Sequence, residues 1–336
     1  MVSHPAVWLV KYALWCCMLS VVPQLVICVR AFFVFPECRI CGAYMWDVRR
    51  IREVGAFGMW NLMGTICSLL REQGTNVVVN KAFGARVNAA MALGSSVNAH
   101  SSALTSSLLG AMAPAVTTAY GAGQTERMQD LAYRMCKFVC ALLLIFFIPL
   151  ISELQTVLVL WLKEPPQYTT YLCFVMLLMN FLEVSTNGHM VAVNASGHVK
   201  EYQLNMTMIS ILTLPAVIAT VWLGGGIYAL GIVLICVRIS ISLRRVYYAR
   251  IFAGLSAKYW IHQVVVPILI VVLVSGGVSL LPRLMFEAGF IRIAVTTFIS
   301  EVVLLPLLWF VLLSNEERRF VVEKFGPRLR RLLGRG

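Results

Sequence analysis

Long apolar runs recur along this chain, each about as long as a bilayer is thick, with short polar turns between them. The first covers residues 5–29 and leaves out the charged residue that follows, Arg30. A helix rising 1.5 Å per residue needs about 20 residues to cross a hydrocarbon core of about 30 Å. Within hydrocarbon every backbone N–H and C=O must be satisfied inside the structure, so a run of this length is a helix. The first run is longer than a signal-peptide core of about 7–15 residues, and no small-residue cleavage site follows it.

Eight further runs cover residues 56–80, 87–120, 131–162, 168–193, 203–223, 227–252, 259–281 and 290–313. The turns between them carry the expected breakers, among them Pro165-Pro166 and Gly224-Gly225-Gly226. The expected fold is all-α: a polytopic transmembrane helical bundle of about nine spans. Three regions follow. Residues 1–55 hold one helix and a basic loop in which WDVRRIREV forms a short amphipathic helix; residues 56–313 hold eight spans; residues 314–336 form a basic amphipathic tail for the membrane surface.

Only 13% of the chain is charged and 60% is hydrophobic, where a soluble domain is about a quarter charged. The net charge of +13 therefore speaks for basic membrane loops against anionic lipid, with membrane lipid as a partner and no nucleic acid. Of ten cysteines, Cys16, Cys17, Cys67, Cys136, Cys140, Cys173 and Cys236 sit in apolar runs as small hydrophobes. Cys38 and Cys41 form a lone CxxC, short of the four ligands of a zinc site. No metal, no cofactor and no enzyme signature is expected.

Lys and Arg alternate in density from loop to loop. Twenty lie in the first loop from Arg30 to Arg52, around Arg127–Lys137, at Lys200, around Arg244–Lys258 and in the tail; six lie in the intervening turns. Basic residues accumulate on the cytoplasmic side, so the C-terminus is expected in the cytoplasm. With nine spans, the N-terminus then lies outside.

The second and third spans are too polar for lipid, and polar groups at membrane depth usually face a bundle interior or a wet cavity. Arg71, Gln73, Asn76 and Asn80 on the second span, and Asn98 and His100 on the third, are the candidate cavity lining. Arg71 suits an anionic ligand, because a guanidinium forks onto phosphate oxygens; pairing with Glu72 or Glu183 is the structural alternative. His100 either titrates or is a hydrogen-bonded structural histidine. Pro114 is the candidate hinge. Glu183 and Asn187, four residues apart on one helix face, are the ion-coupling candidate, unless Glu183 is the partner of Arg71. Arg238 and Glu301 either snorkel or pack together.

Residues 76–128, NVVVNKAFGARVNAAMALGSSVNAHSSALTSSLLGAMAPAVTTAYGAGQTERM, resemble the polysaccharide transporter family of O-antigen and lipid-linked oligosaccharide flippases, within the multidrug/oligosaccharidyl-lipid/polysaccharide exporter superfamily. The likeness rests on Phe83-Gly84, Asn88 to Ala90, Pro114, Tyr120 to Gly123, FGMWNLMG upstream and Arg71 to Gly74, and extends from about Trp46 onward. It implies a carrier in the cell inner membrane that moves a polyprenyl-pyrophosphate-linked oligosaccharide, or another amphipathic substrate, beside polysaccharide-assembly proteins. A cation-coupled multidrug exporter and a truncated, non-transporting remnant are the alternatives. Family members have 12 to 14 spans in two lobes, and this chain resembles the last helix of the first lobe (residues 1–55), then the second lobe plus two extra helices (residues 56–313), with about five N-terminal spans absent.

Overall fold

The computed structural model describes residues 5–34 and 48–319. The Cys38/Cys41 pair and the tail beyond Arg319 lie outside the described residues. Every described regular element is helical, so the all-α architecture holds. The chain divides into two compact units, residues 1–58 and 59–336. In the first unit α1 (Pro5–Val34) is an uninterrupted helix through Pro23. The basic segment from Val48 is not a separate short helix; it is the opening of α2 (Val48–Phe83), which continues into the second unit.

In the second unit Gly84, at φ 85°, makes the turn from α2 to α3 (Ala85–Gly121). That backbone conformation favours glycine. Next come α4 (Thr125–Ser152) and the short α5 (Leu154–Leu162). α6 (Thr169–Val184) and α7 (Asn187–Ala195) are two halves of one span, bent by 42°. α8 (Val199–Trp222) and α9 (Ile227–Ala253) form a hairpin around the glycine turn. The last membrane portion is α10 (Ala257–Trp260), a π-helical turn at Ile261–Val265, α11 (Val266–Ser279), α12 (Pro282–Met285), and α13 (Phe290–Leu307), which ends in a second π-helical turn at Leu308–Leu312.

Among the described residues six helical segments are long and apolar enough to cross a membrane, and a seventh is added when α6 and α7 count as one. The expected nine is larger because it includes α2 and α3. At 36 and 37 residues these are long enough, but their polar side chains keep them below the apolar composition of the rest.

The core is built on α4. Met128, Ala132, Met135, Cys136, Val139, Cys140, Leu143 and Leu144 are all buried, forming one broad apolar face. A broad apolar face turns toward the core, and α4 packs against α3, α7, α11 and α13. Close approach uses glycine: a Cβ at Gly188 would stand 2.0 Å from the Ala132 carbonyl oxygen, and one at Gly94 would meet the α6 backbone at 3.3 Å. Small residues at helix contacts serve the same purpose throughout membrane bundles.

Two polar clusters tie α4 and the segment just beyond it to the C-terminal helices. After α4, the buried Glu153 carboxylate accepts two hydrogen bonds from Arg292, at 2.9 and 3.1 Å, one from Thr156 at 2.7 Å and one from Thr296 at 3.3 Å. Farther back along α4, Lys137 meets Glu317 at 3.6 Å. Glu317 also accepts from the Ser314 backbone N–H at 2.7 Å, while the Ser314 hydroxyl accepts the Glu317 N–H at 3.3 Å. This is a reciprocal capping box. Ser314→Ala is expected to remove about 1 kcal/mol of local helix stability. Amide exchange at residues 315–319 should then rise roughly fivefold; an unchanged rate at Glu317 would mean that the box does not hold the helix start.

Candidate functional site: an arginine-lined cavity

Two adjoining cavities, of about 250 and 320 Å³, lie among α2, α3, α6, α8 and α9. Arg71, Glu183 and Arg238 line both. The first is amphipathic: Met91, Met176, Met179, Leu234 and Val237 face Thr75, Asn76, Asn98, Asn180 and Thr213. The second is polar, with Ser68, Asn194, Tyr202, Gln203, Thr207, Ser210 and Arg245.

The break between α6 and α7 creates the shared wall. A bent helix leaves carbonyls without their intrahelical donors, and inside a bundle these need side-chain partners. The Leu182 carbonyl accepts from Ser242 at 3.0 Å, that of Glu183 from Arg245 at 3.4 Å, and that of Ser185 from the Trp260 indole at 3.2 Å. The Glu183 carboxylate then receives Arg238 on one oxygen at 2.7 Å and Arg245 on the other at 3.1 Å. Arg245 also donates to Asn187 at 3.3 Å across the bend.

The sequence-predicted residues divide sharply. Arg71, Asn76, Asn98 and Glu183 face the amphipathic cavity, and Asn187 holds Arg245 beside it. Gln73, Asn80 and His100 are exposed and line neither cavity. For two of them the reason is helical phase: at about 100° per residue, Gln73 is turned about 200° from Arg71, and His100 about 200° from Asn98; Asn80 shares the face of Asn76 but lies one turn past the end of the lining. Pro114 is exposed, and α3 runs on through it to Gly121, with the Thr117 hydroxyl donating back to the Ala113 and Pro114 carbonyls. Arg238 pairs with Glu183 and not with Glu301. As for ion coupling, Glu183 is engaged by two guanidiniums, the opposite of the surroundings in which a carboxylate collects a metal cation.

Sequence reasoning missed Arg245. It was counted among the loop cations, yet it is 8% exposed inside the bundle. The signal was present, because Arg245 lies seven residues after Arg238 and so on the same helix face. Asn180 and Thr213, 5% and 2% exposed, were missed as well. The Asn180 amide nitrogen, the Thr213 hydroxyl, the Asn98 carbonyl oxygen and the Nε of both Arg238 and Arg245 are buried without a partner among the described residues. Buried polar atoms normally have partners, so these atoms, contributed by four helices around the two cavities, mark a place for polar ligand atoms. Arg71 and Arg238 balance Glu72 and Glu183 in the first cavity, whereas the second, with Arg71, Arg238 and Arg245 against Glu183, is cationic. Among the described residues no group of His, Cys, Asp and Glu is placed to hold a metal.

The helices long enough to span a bilayer, and the buried polar cavity among them, define the class: a multi-pass, all-helical membrane protein. No family model, no curated protein and no solved structure matches the chain.

Proposed function

We propose that the chain is a carrier that moves an anionic amphiphile across the cell inner membrane, with its C-terminus in the cytoplasm. The substrate in this reading is a polyprenyl-pyrophosphate-linked oligosaccharide, as in the flippases that the sequence resembles. The observation that carries the proposal is the set of arginines around Glu183: Arg71 and Arg238 stand with it on the wall shared by both cavities, and the buried Arg245 lines the second. Arg238 and Arg245 are held in place by that carboxylate. Arg71 has its guanidinium on the same wall, where it can meet a pyrophosphate. The hydroxyls and amides of Tyr202, Gln203, Thr207 and Ser210 suit sugar hydroxyls, and the methionine side of the first cavity suits a polyprenyl chain. Hydrophobic cations, the cargo of a drug exporter, would meet like charge here.

In proteoliposomes of the purified chain, Arg71→Ala is expected to slow translocation of a fluorescent polyprenyl-pyrophosphate oligosaccharide about tenfold, the loss expected of one charge-assisted contact. Protein level and thermal midpoint should stay unchanged. Undiminished translocation would remove Arg71 from the mechanism. Transport of a hydrophobic cation, with none of the anionic lipid, would replace the proposal by the exporter reading.

A further inference from the structure

A second polar site lies away from the arginine cavity, at the end of the bundle where α4 and α11 begin and α13 ends. Two π-helical turns are found there, Ile261–Val265 ahead of α11 and Leu308–Leu312 after α13. Single π-turns inside membrane helices are frequent at functional positions. Both turns contribute to one cavity of about 290 Å³, through Gln263 from the first and Phe310 to Leu312 from the second.

The charges in this cavity are under-partnered. Lys137, three turns into α4, is 6% exposed, and its Nζ reaches Glu317 at 3.6 Å, beyond hydrogen-bond length. Glu317 is divided among other donors: the Ser314 N–H at 2.7 Å takes the same oxygen, and Arg134 approaches the other at 3.8 Å. An ammonium has three N–H groups to satisfy, and leaving them unmet in a buried position is costly. Across the cavity, Arg318 is fixed in advance. It donates to the Phe310 carbonyl at 2.8 Å and to Asn315 at 3.3 Å, and its guanidinium stands 5.7 Å over the Phe310 ring. Its Nε has no partner among the described residues.

The rest of the lining is mixed: Pro267, Phe310, Val311, Leu312 and Leu313 supply apolar surface beside Gln263, Ser314 and Asn315. The cavity therefore offers two cations with hydrocarbon contact directly beside them. We propose that this is a binding site for an anionic phospholipid, its phosphodiester between Lys137 and Arg318 and its acyl chain along Phe310 and Pro267. A free inorganic anion would use the cations and leave the apolar surface unused. The site is separate from the arginine cavity, so it stands whether or not the chain is a carrier.

The test uses the full chain in nanodiscs made with phosphatidylglycerol and phosphatidylcholine in equal parts, with retained lipid read by native mass spectrometry after release into detergent. Phosphatidylglycerol should be retained over phosphatidylcholine. Arg318→Gln should weaken that retention about tenfold, the effect of one charge-assisted bond, while the thermal midpoint without lipid stays unchanged. Lys137→Gln should abolish retention; should that variant fail to fold, Arg318→Gln alone decides. Equal retention of the two lipids, or full retention by Arg318→Gln, overturns the proposal. Displacement of the lipid by inorganic phosphate makes this a free-anion site and overturns it as well.

Discussion

Gly188→Ala is expected to destabilise the bundle by roughly 3 kcal/mol, at the upper end for overpacked cores. The added methyl would stand 2.0 Å from the Ala132 carbonyl oxygen, 2.9 Å from its carbon and 2.8 Å from the Cys136 sulfur. The sulfur can swing aside, but the carbonyl belongs to the backbone of α4 and cannot move without bending the helix on which the core is built. Relief must come from α7, which would have to withdraw from α4. Gly188 follows Asn187, the residue that holds Arg245 across the bend, so the damage should reach the arginine cavity too. Thermal unfolding in detergent measures the first effect, and ligand retention by the surviving folded fraction measures the second. An alanine variant as stable as the parent would mean that α4 and α7 do not pack this closely.

The second large effect belongs to Glu153. It is 1% exposed and carries Arg292 on one oxygen, with Thr156, Thr296 and, at 3.8 Å, Arg283 also around it. Removing one member of a buried pair leaves the other charge uncompensated, which costs about 3–5 kcal/mol. Glu153→Ala should therefore lower stability by about 3 kcal/mol, since Arg292, 14% exposed, can partly reach water. Replacing both partners with apolar residues should restore much of the loss, because an ion pair exchanged for hydrophobic residues is often neutral. Midpoints from chemical denaturation in mixed micelles distinguish these outcomes. If the double variant were as unstable as the single one, the cost would lie in packing and not in the stranded charge.

The sequence carried the helical architecture because apolar length is a strong signal. Runs such as residues 227–252 and 290–313 differ little from the helices Ile227–Ala253 and Phe290–Leu307 with its π-turn. Interruptions were less visible. The segment 168–193 has no proline or glycine between Leu182 and Asn187 to announce the bend; tertiary partners on α9 and α10 stabilise it, and these lie 55 or more residues away. The site was half legible for a similar reason. Residue type identified Arg71, Asn76, Asn98 and Glu183, but type alone cannot say which face of a helix looks inward. Gln73 and His100 failed on phase and Asn80, one turn beyond Asn76, lies past the last α2 residue of the lining, whereas Arg245 was hidden because a basic residue near a helix end is usually a surface residue.

The bend has a consequence for how charge is held in the site. α6 ends at Val184, so its aligned peptide dipoles terminate beside the Glu183 carboxylate and present a partial negative charge there. Arg238 and Arg245 are thus balanced by two sources, one in a side chain and one in the backbone. A helix C-terminus favours a nearby cation by about 0.3–1 kcal/mol, and more where solvent is excluded. Mutation can delete the carboxylate in a single step, but it cannot delete the dipole without straightening the span. Glutamine at position 183 would then leave an electropositive but still tethered arginine pair, and the permanent counter-charge of this membrane site would be the end of a helix.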